Sequence, residues 1–200
     1  MKRVSVLLGA CALLVGLTVA GYASTITPYV VTVDQIGSNV VATGSGEFDL
    51  TGLSFYGATA GPAIIFPAYG IIQVAAGPGD SYTGVTGPNS FGQNVSFTAN
   101  SNSGGFVGIS AEPNRLYVPY GYTSGTLLNN MSVYDDATIA SLALTPGTYV
   151  WTWGTAADQS FTLEIVPTPI AGAGLPGMVT VLAGAGLLGW RRRRKAQAAI

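Results

Sequence analysis

Between residues 24 and 166 no span of a dozen residues carries apolar side chains at helical spacing; short apolar runs alternate instead with turn signals built from Gly, Pro, Asn, Asp and Ser. That pattern leaves an all-β body as the fold class. Candidate strands cover residues 29–33, 39–43, 47–55, 63–66, 70–75, 90–98, 105–109, 116–119, 131–134 and 139–144. The best-defined element is the last, LALTPGTYVWTWGTAADQSFTLEIV. Pro146-Gly147 fits a type II turn, with Pro fixing the first central φ and Gly supplying a positive φ at the second. After it Tyr149, Trp151 and Trp153 alternate with Val150 and Thr152, and Phe161, Leu163 and Ile165 alternate with Thr162 and Glu164. Two strands joined by residues 154–159 follow, a hairpin with the large apolar side chains on one face of each strand. These aromatics are expected to pack the core of a single antiparallel β-sandwich-like (jelly-roll-like) domain over residues 24–165. Gly/Ser-rich patches such as 99–105 do not make the body a disordered chain, because Val, Ile, Leu and aromatic residues are dense at strand spacing. No fixed-period repeat points to a solenoid or propeller.

Charge is distributed very unevenly. Lys2 and Arg3 open the chain, Arg191, Arg192, Arg193, Arg194 and Lys195 lie near its end, and Arg115 is the one cation between them. All nine acids lie in that middle part, so one Arg against nine Asp and Glu leaves it at −8. Such a body repels phosphate backbones, which argues against a nucleic acid partner. Cys11 is the only cysteine and there is no histidine. Ser–His–Asp and Cys–His systems are therefore excluded, and with no Lys in the body so is Ser–Lys. No cofactor is implied. Glu47 and Asp49 sit two apart on one expected strand face, and Asp135 adjoins Asp136. These are the residue types of a glycosidase acid pair or a calcium site, yet no loop pattern selects them; they read as solvated surface charge, and no catalytic or metal-binding residue is assigned. In EPNRLYVPYGY, Arg115 stands beside Tyr117, Tyr120 and Tyr122, a candidate ligand surface for a sugar. The preferred reading is structural: it pairs Arg115 with Glu112 or another acid and leaves the tyrosines lining the edge of the core.

Both ends concern a membrane. MKRVSVLLGACALLVGLTVAGYAS has a basic start, an apolar run and a small-x-small site, the pattern of a secretory signal peptide over residues 1–23, helical and cleaved between Ala23 and Ser24. Residues 170–190 contain no charge, and 21 residues at ~1.5 Å each suffice to cross ~30 Å of hydrocarbon. A transmembrane helix is expected there, with Trp190 at the headgroups and Arg191, Arg192, Arg193 and Arg194 stopping transfer in the cytoplasm. Lys2 and Arg3 belong on the same side, which puts the acidic body outside. Pro176 and six glycines make the span a poor permanent anchor, better suited to being read by another membrane protein.

Val166-Pro167-Thr168-Pro169, then Ile170-Ala171-Gly172-Ala173-Gly174-Leu175-Pro176-Gly177, then Leu187-Leu188-Gly189-Trp190 and the Arg run resemble the PEP-CTERM sorting signal, in particular its Pro-Ile-Ala-Gly-Ala-Gly-Leu-Pro-Gly variant. Thr168 stands where the name-giving pattern has Glu. The resemblance covers residues 166–195 and implies a sorting and processing motif at Val166, Pro167, Thr168 and Pro169, read by an exosortase-type enzyme. It also implies signal peptidase and the inner membrane as partners and extracellular polysaccharide as a candidate one. Leu144 to Gly154 is similar to a Leu-Thr-Pro-Gly-Thr-Tyr-x-Trp-Thr-Trp-Gly segment of small secreted proteins with the same tail. The expectation is an exported structural protein of the cell envelope or exopolysaccharide matrix, held transiently at the inner membrane and then placed at the cell surface or outside, and not an enzyme. A carbohydrate-binding module of the extracellular matrix is the alternative.

Overall fold

The structure, a computed structural model, describes residues 27–168. The expected signal peptide with Ala23 and Ser24, the 170–190 helix, Pro169 and Arg191 to Arg194 lie outside the described residues. Among the described residues no helix is long and apolar enough to cross a membrane.

Thirteen strands follow one another: β1 (Tyr29–Ile36), β2 (Asn39–Gly46), β3 (Ser54–Gly61), β4 (Ile64–Phe66), β5 (Ile71–Gln73), β6 (Gly77–Thr83), β7 (Phe97–Thr98), β8 (Ser101–Gly104), β9 (Gly108–Ala111), β10 (Asn114–Pro119), β11 (Leu128–Tyr134), β12 (Gly147–Thr152) and β13 (Ser160–Ile165). A 3-10 turn, Pro67–Tyr69, separates β4 from β5. They form a six-stranded sheet in the order β12-β13-β1-β2-β11-β8 and a seven-stranded sheet in the order β3-β6-β10-β9-β5-β4-β7. Between these strands all pairings are antiparallel except one: β1 and β13 run parallel, with Tyr29 opposite Phe161 and Val33 opposite Ile165.

The period of two explains the layering. Tyr29, Val31 and Val33 of β1 and Phe161, Leu163 and Ile165 of β13 are buried, while the residues between them are not. They share one core with Ile65, Ile72, Ile109, Leu116 and Val118 of the other sheet. Each such side chain stabilises the fold by about 1.5–3 kcal/mol through loss of apolar surface to water. The expected hairpin is present, pairing Gly147 with Ile165 and Trp151 with Phe161.

Other expectations are corrected. Residues 48–53 are loop, not strand, because the Asp49 carboxylate accepts the Thr51 N–H at 2.9 Å and turns the chain; the strand in this region starts at Ser54. Within 90–98 only Phe97–Thr98 forms a strand, and Gly92 makes a single antiparallel bridge to Leu144. Residues 139–144 form a turn in which Thr138 and Ser141 bond each other's backbone N–H and Leu142 N–H reaches Thr138 O at 3.0 Å; Ile139 and Leu142 are buried three apart, the spacing of a helical turn. Gly147 has φ +154°, not the ~+80° of a type II turn, and already belongs to β12. β6 and β8 occupy segments with no apolar alternation to announce them. In β6, Gly79 packs so closely on the Phe106 ring and the Val118 carbonyl that a Cβ would collide with both.

Candidate functional site

β10 places Leu116 and Val118 in the core and so turns Arg115 and Tyr117 onto the outer face of the seven-stranded sheet. Their cross-strand neighbours are small: Thr83 and Ser110 flank Arg115, and Ser81 and Gly108 flank Tyr117. This low floor lets larger side chains lie over it, and Ser81 and Ser110 are buried beneath them. One of those side chains arrives from β3. Between Phe55 and Gly57 the register against β6 slips by one residue, and the extra residue is Tyr56. Such a bulge re-aims a side chain. Here the Arg115 guanidinium carbon stands 3.6 Å from the centroid of the Tyr56 ring. Tyr56 is 62 % exposed and Arg115 only half-buried by comparison, so the ring is the outer member of the pair.

The expected ion pair with Glu112 is not formed; among the described residues no acid lies within 4.0 Å of the guanidinium. Arg115 Nε is buried with no hydrogen-bond partner, and so is Ser110 Oγ, its cross-strand neighbour. A buried donor left unpaired costs about 1–3 kcal/mol, so Nε itself adds nothing to stability by pairing. Tyr117 packs on Phe106 with ring centroids 5.7 Å apart; burial pushes its phenol pKa up, against the opposing pull of the Arg115 charge and of hydrogen bonding from the Arg115 and Ser110 side chains beside it.

The other two tyrosines part company. Tyr120, beyond the end of β10, is 70 % exposed. Tyr122 is half-buried and structural: its hydroxyl accepts the Phe48 N–H at 2.9 Å and donates to Thr126 O at 2.8 Å, and its ring meets Phe48 edge-on. Burial is the main reason its pKa is raised. Of the expected ligand surface, then, Arg115 and Tyr117 come together, whereas Tyr122 belongs to the fold. Tyr56 and Ser110 were missed. The adjacent aromatics Phe55-Tyr56 within a Gly-bounded segment were the available signal, but only the order β3-β6-β10 brings Tyr56 to Arg115.

Four carboxylates, those of Asp34, Glu47, Asp49 and Asp80, serve the backbone. Glu47 Oε1 accepts the Thr27 N–H at 3.1 Å, and Asp80 accepts the Gly121 N–H at 2.9 Å. The backbone N–H of Thr51, then its side chain and Gln159, hold the Asp49 carboxyl below the usual carboxylate range. Asp135 accepts from Asn39 Nδ2 at 3.1 Å, and Asp136 occupies a left-handed turn position at φ +49°. Among the described residues no group of three His, Cys, Asp or Glu is gathered as a metal site.

Of the expected sorting motif, Val166 is still part of the domain: its N–H donates to Val33 O at 2.9 Å, extending β13 by one residue along β1. Pro167 and Thr168 are exposed. Val166 and Pro167 border a cleft of about 400 Å³ beside Pro146 and Glu164. No protein-family model matches the chain, and neither the curated proteins nor the solved structures contain a match to it.

Proposed function

We propose that this is an exported structural protein of the cell envelope or exopolysaccharide matrix, sorted through its C-terminal signal by an exosortase-type enzyme after signal peptidase has removed residues 1–23. The inner membrane holds it transiently, with the acidic body outside, and the end state is the cell surface or the extracellular matrix. What supports the reading is the junction at Val166. The last strand of the sandwich continues to Val166, the first residue of the Val166-Pro167-Thr168-Pro169 motif, so a packed body adjoins a separately legible tail. Side-chain chemistry points the same way, since Asp34, Glu47, Asp49 and Asp80 accept backbone N–H groups and the reading assigns no catalysis. Intact-mass measurement of the protein from its native cell tests it. A species starting at Ser24 and ending near Pro169 is the expected result; a species carrying residues 1–200 unchanged would refute both processing steps.

A second reading, a carbohydrate-binding module, is favoured by one observation: the outer face of the seven-stranded sheet carries Tyr56 largely exposed over an arginine that no acid neutralises. The two readings are compatible, since a matrix protein can hold its place by binding the polymer around it.

A further inference from the structure

We infer that the cleft at the β12–β13 end of the sandwich is a docking surface for the enzyme that processes the tail, so that its substrate is the motif together with the body and not the motif alone. The inference rests on the processing reading above and adds to it the surface by which the partner meets this body.

Chain length carries the argument. Val166 is held in the ladder by its N–H bond to Val33 O at 2.9 Å. Three residues separate it from Pro169, and fully extended they reach at most ~11 Å, whatever path they take. That is about the width of a single helix with its side chains. An enzyme that acts near Pro169 therefore cannot close round the motif without meeting the end of the sandwich.

What it meets there is built jointly by body and motif. The hairpin register sets Thr148 opposite Glu164, and by the period of two Val166 turns to the same outer face as Glu164. Pro146, Thr148 and Glu164 line the cleft of about 400 Å³ together with Val166 and Pro167 of the motif, and Gly147 between them contributes no side chain. β12 is the edge strand of its sheet, and the bridge from Thr86 reaches it only at Thr152, away from the cleft. Pro146, Thr148, Glu164 and Pro167 are all exposed. Glu164 is not one of the four carboxylates that hold backbone N–H groups. Proline rings beside an exposed carboxylate call for a partner surface with an apolar side chain to enter the cleft and a cation to meet Glu164. Because Pro167 is itself part of the wall, an occupant that recognises this proline touches the body in the same act.

The test follows processing of the full chain in its native cell, by intact mass at timed intervals, as the conversion of species ending at Ile200 to species ending near Pro169. Thr148→Tyr, which fills the cleft from an exposed strand position, should slow conversion by ~10-fold, the effect of losing one well-packed contact. Glu164→Gln should slow it by only ~2–5-fold, as for a rim ion pair, and Glu164→Lys by more. Thermal midpoints of these full-length variants in detergent should match that of the native chain, which separates a docking defect from a folding one. An eight-residue Gly/Ser insertion after Val166 adds a mean span of ~16 Å and detaches the motif from the cleft while leaving the Val166 bond in place. It should slow conversion as Thr148→Tyr does, and adding Thr148→Tyr to it should then have no further effect. Faster conversion of the insertion variant would mean that the body obstructs the enzyme, and faster conversion of Glu164→Lys that the carboxylate only repels an anionic leaflet; either would overturn the docking surface. Native rates in all the variants would overturn it too, while leaving the processing reading intact. A native chain that is never converted would overturn the processing reading itself, and this inference with it.

Discussion

Phe161 and Tyr56 are aromatic residues on strands of the same sandwich, and they have opposite surroundings. Phe161 lies in a cluster with Tyr29, Phe48 and Trp151, with ring centroids between 4.6 and 6.3 Å apart. There every polar handle is met: Trp151 Nε1 donates to Pro88 O at 3.0 Å, the adjoining Trp153 Nε1 to Asp49 O at 2.7 Å, and the Tyr29 hydroxyl to Asn130 Oδ1. Tyr56 has its face in solvent and a guanidinium whose Nε has no acceptor. The difference separates two uses of the same residue type. In the first cluster the rings close the space between sheets and their hydrogen bonds tie loops to strands. In the second, the contacts leave chemistry unspent at the surface, which is what a fold-stabilising contact avoids.

The comparison breaks most readily at Trp151. Replacement by Ala should cost about 3–5 kcal/mol in urea unfolding, because it removes a fully buried ring and leaves the Pro88 carbonyl without its donor. A loss below ~1 kcal/mol would mean that the cluster is no more structural than the surface pair.

Alkaline unfolding sharpens it next. Burial pushes the Tyr29 and Tyr134 phenols well above their ordinary value. The folded state therefore keeps protons that the unfolded chain releases above pH ~10, so this stability is complete below that pH and is lost as pH rises further, by about 1.4 kcal/mol per pH unit for each tyrosine. The Tyr134 hydroxyl has no partner. Tyr134→Phe should accordingly be neutral or stabilising at pH 7 and should flatten the alkaline slope; an unchanged slope in denaturant titrations at pH 10 to 11 would count against this assignment.

Tyr56→Ala is the smallest effect expected. A solvent-exposed cation–π contact contributes ~0.5–1 kcal/mol, so the urea midpoint should barely move even as ligand binding falls. A stability loss comparable to that of Trp151→Ala would place Tyr56 with the fold and not with a site.

The contrast also shows where the sequence could be read. β1, β2, β10, β11 and the β12–β13 hairpin announce themselves because Val, Leu, Ile and aromatic residues alternate with polar ones, and that alternation is caused by a sheet with one face in the core. β6 does not. Its sequence, GPGDSYT, fits the seven-stranded sheet because glycine is needed where Phe106 lies on the backbone, and Asp80 is spent on the Gly121 N–H. Residues 139–144 misled for the reverse reason, since apolar side chains buried by a turn look like a strand when its hydroxyl-to-backbone bonds are unseen. At the site, Arg115 and Tyr117 were legible because a lone cation stands beside tyrosines in one short stretch. Tyr56 was not, because no local pattern encodes a partner delivered by a bulge two strands away.

The parallel pairing of β1 with β13 has a mechanical consequence. The chain enters the sandwich at Thr27 at one end of this strand pair and leaves it at Val166 at the other. Tension applied between those two points draws the neighbouring strands past each other along their length. The rungs from Tyr29–Phe161 to Val33–Ile165, and the Val166 to Val33 bond beyond them, then share the load together instead of parting one after another as in a hairpin peeled from its open end. Under tension between Thr27 and Val166, resistance lies in the rate at which that ladder slides, and this depends on the barrier to forced unfolding rather than on equilibrium stability.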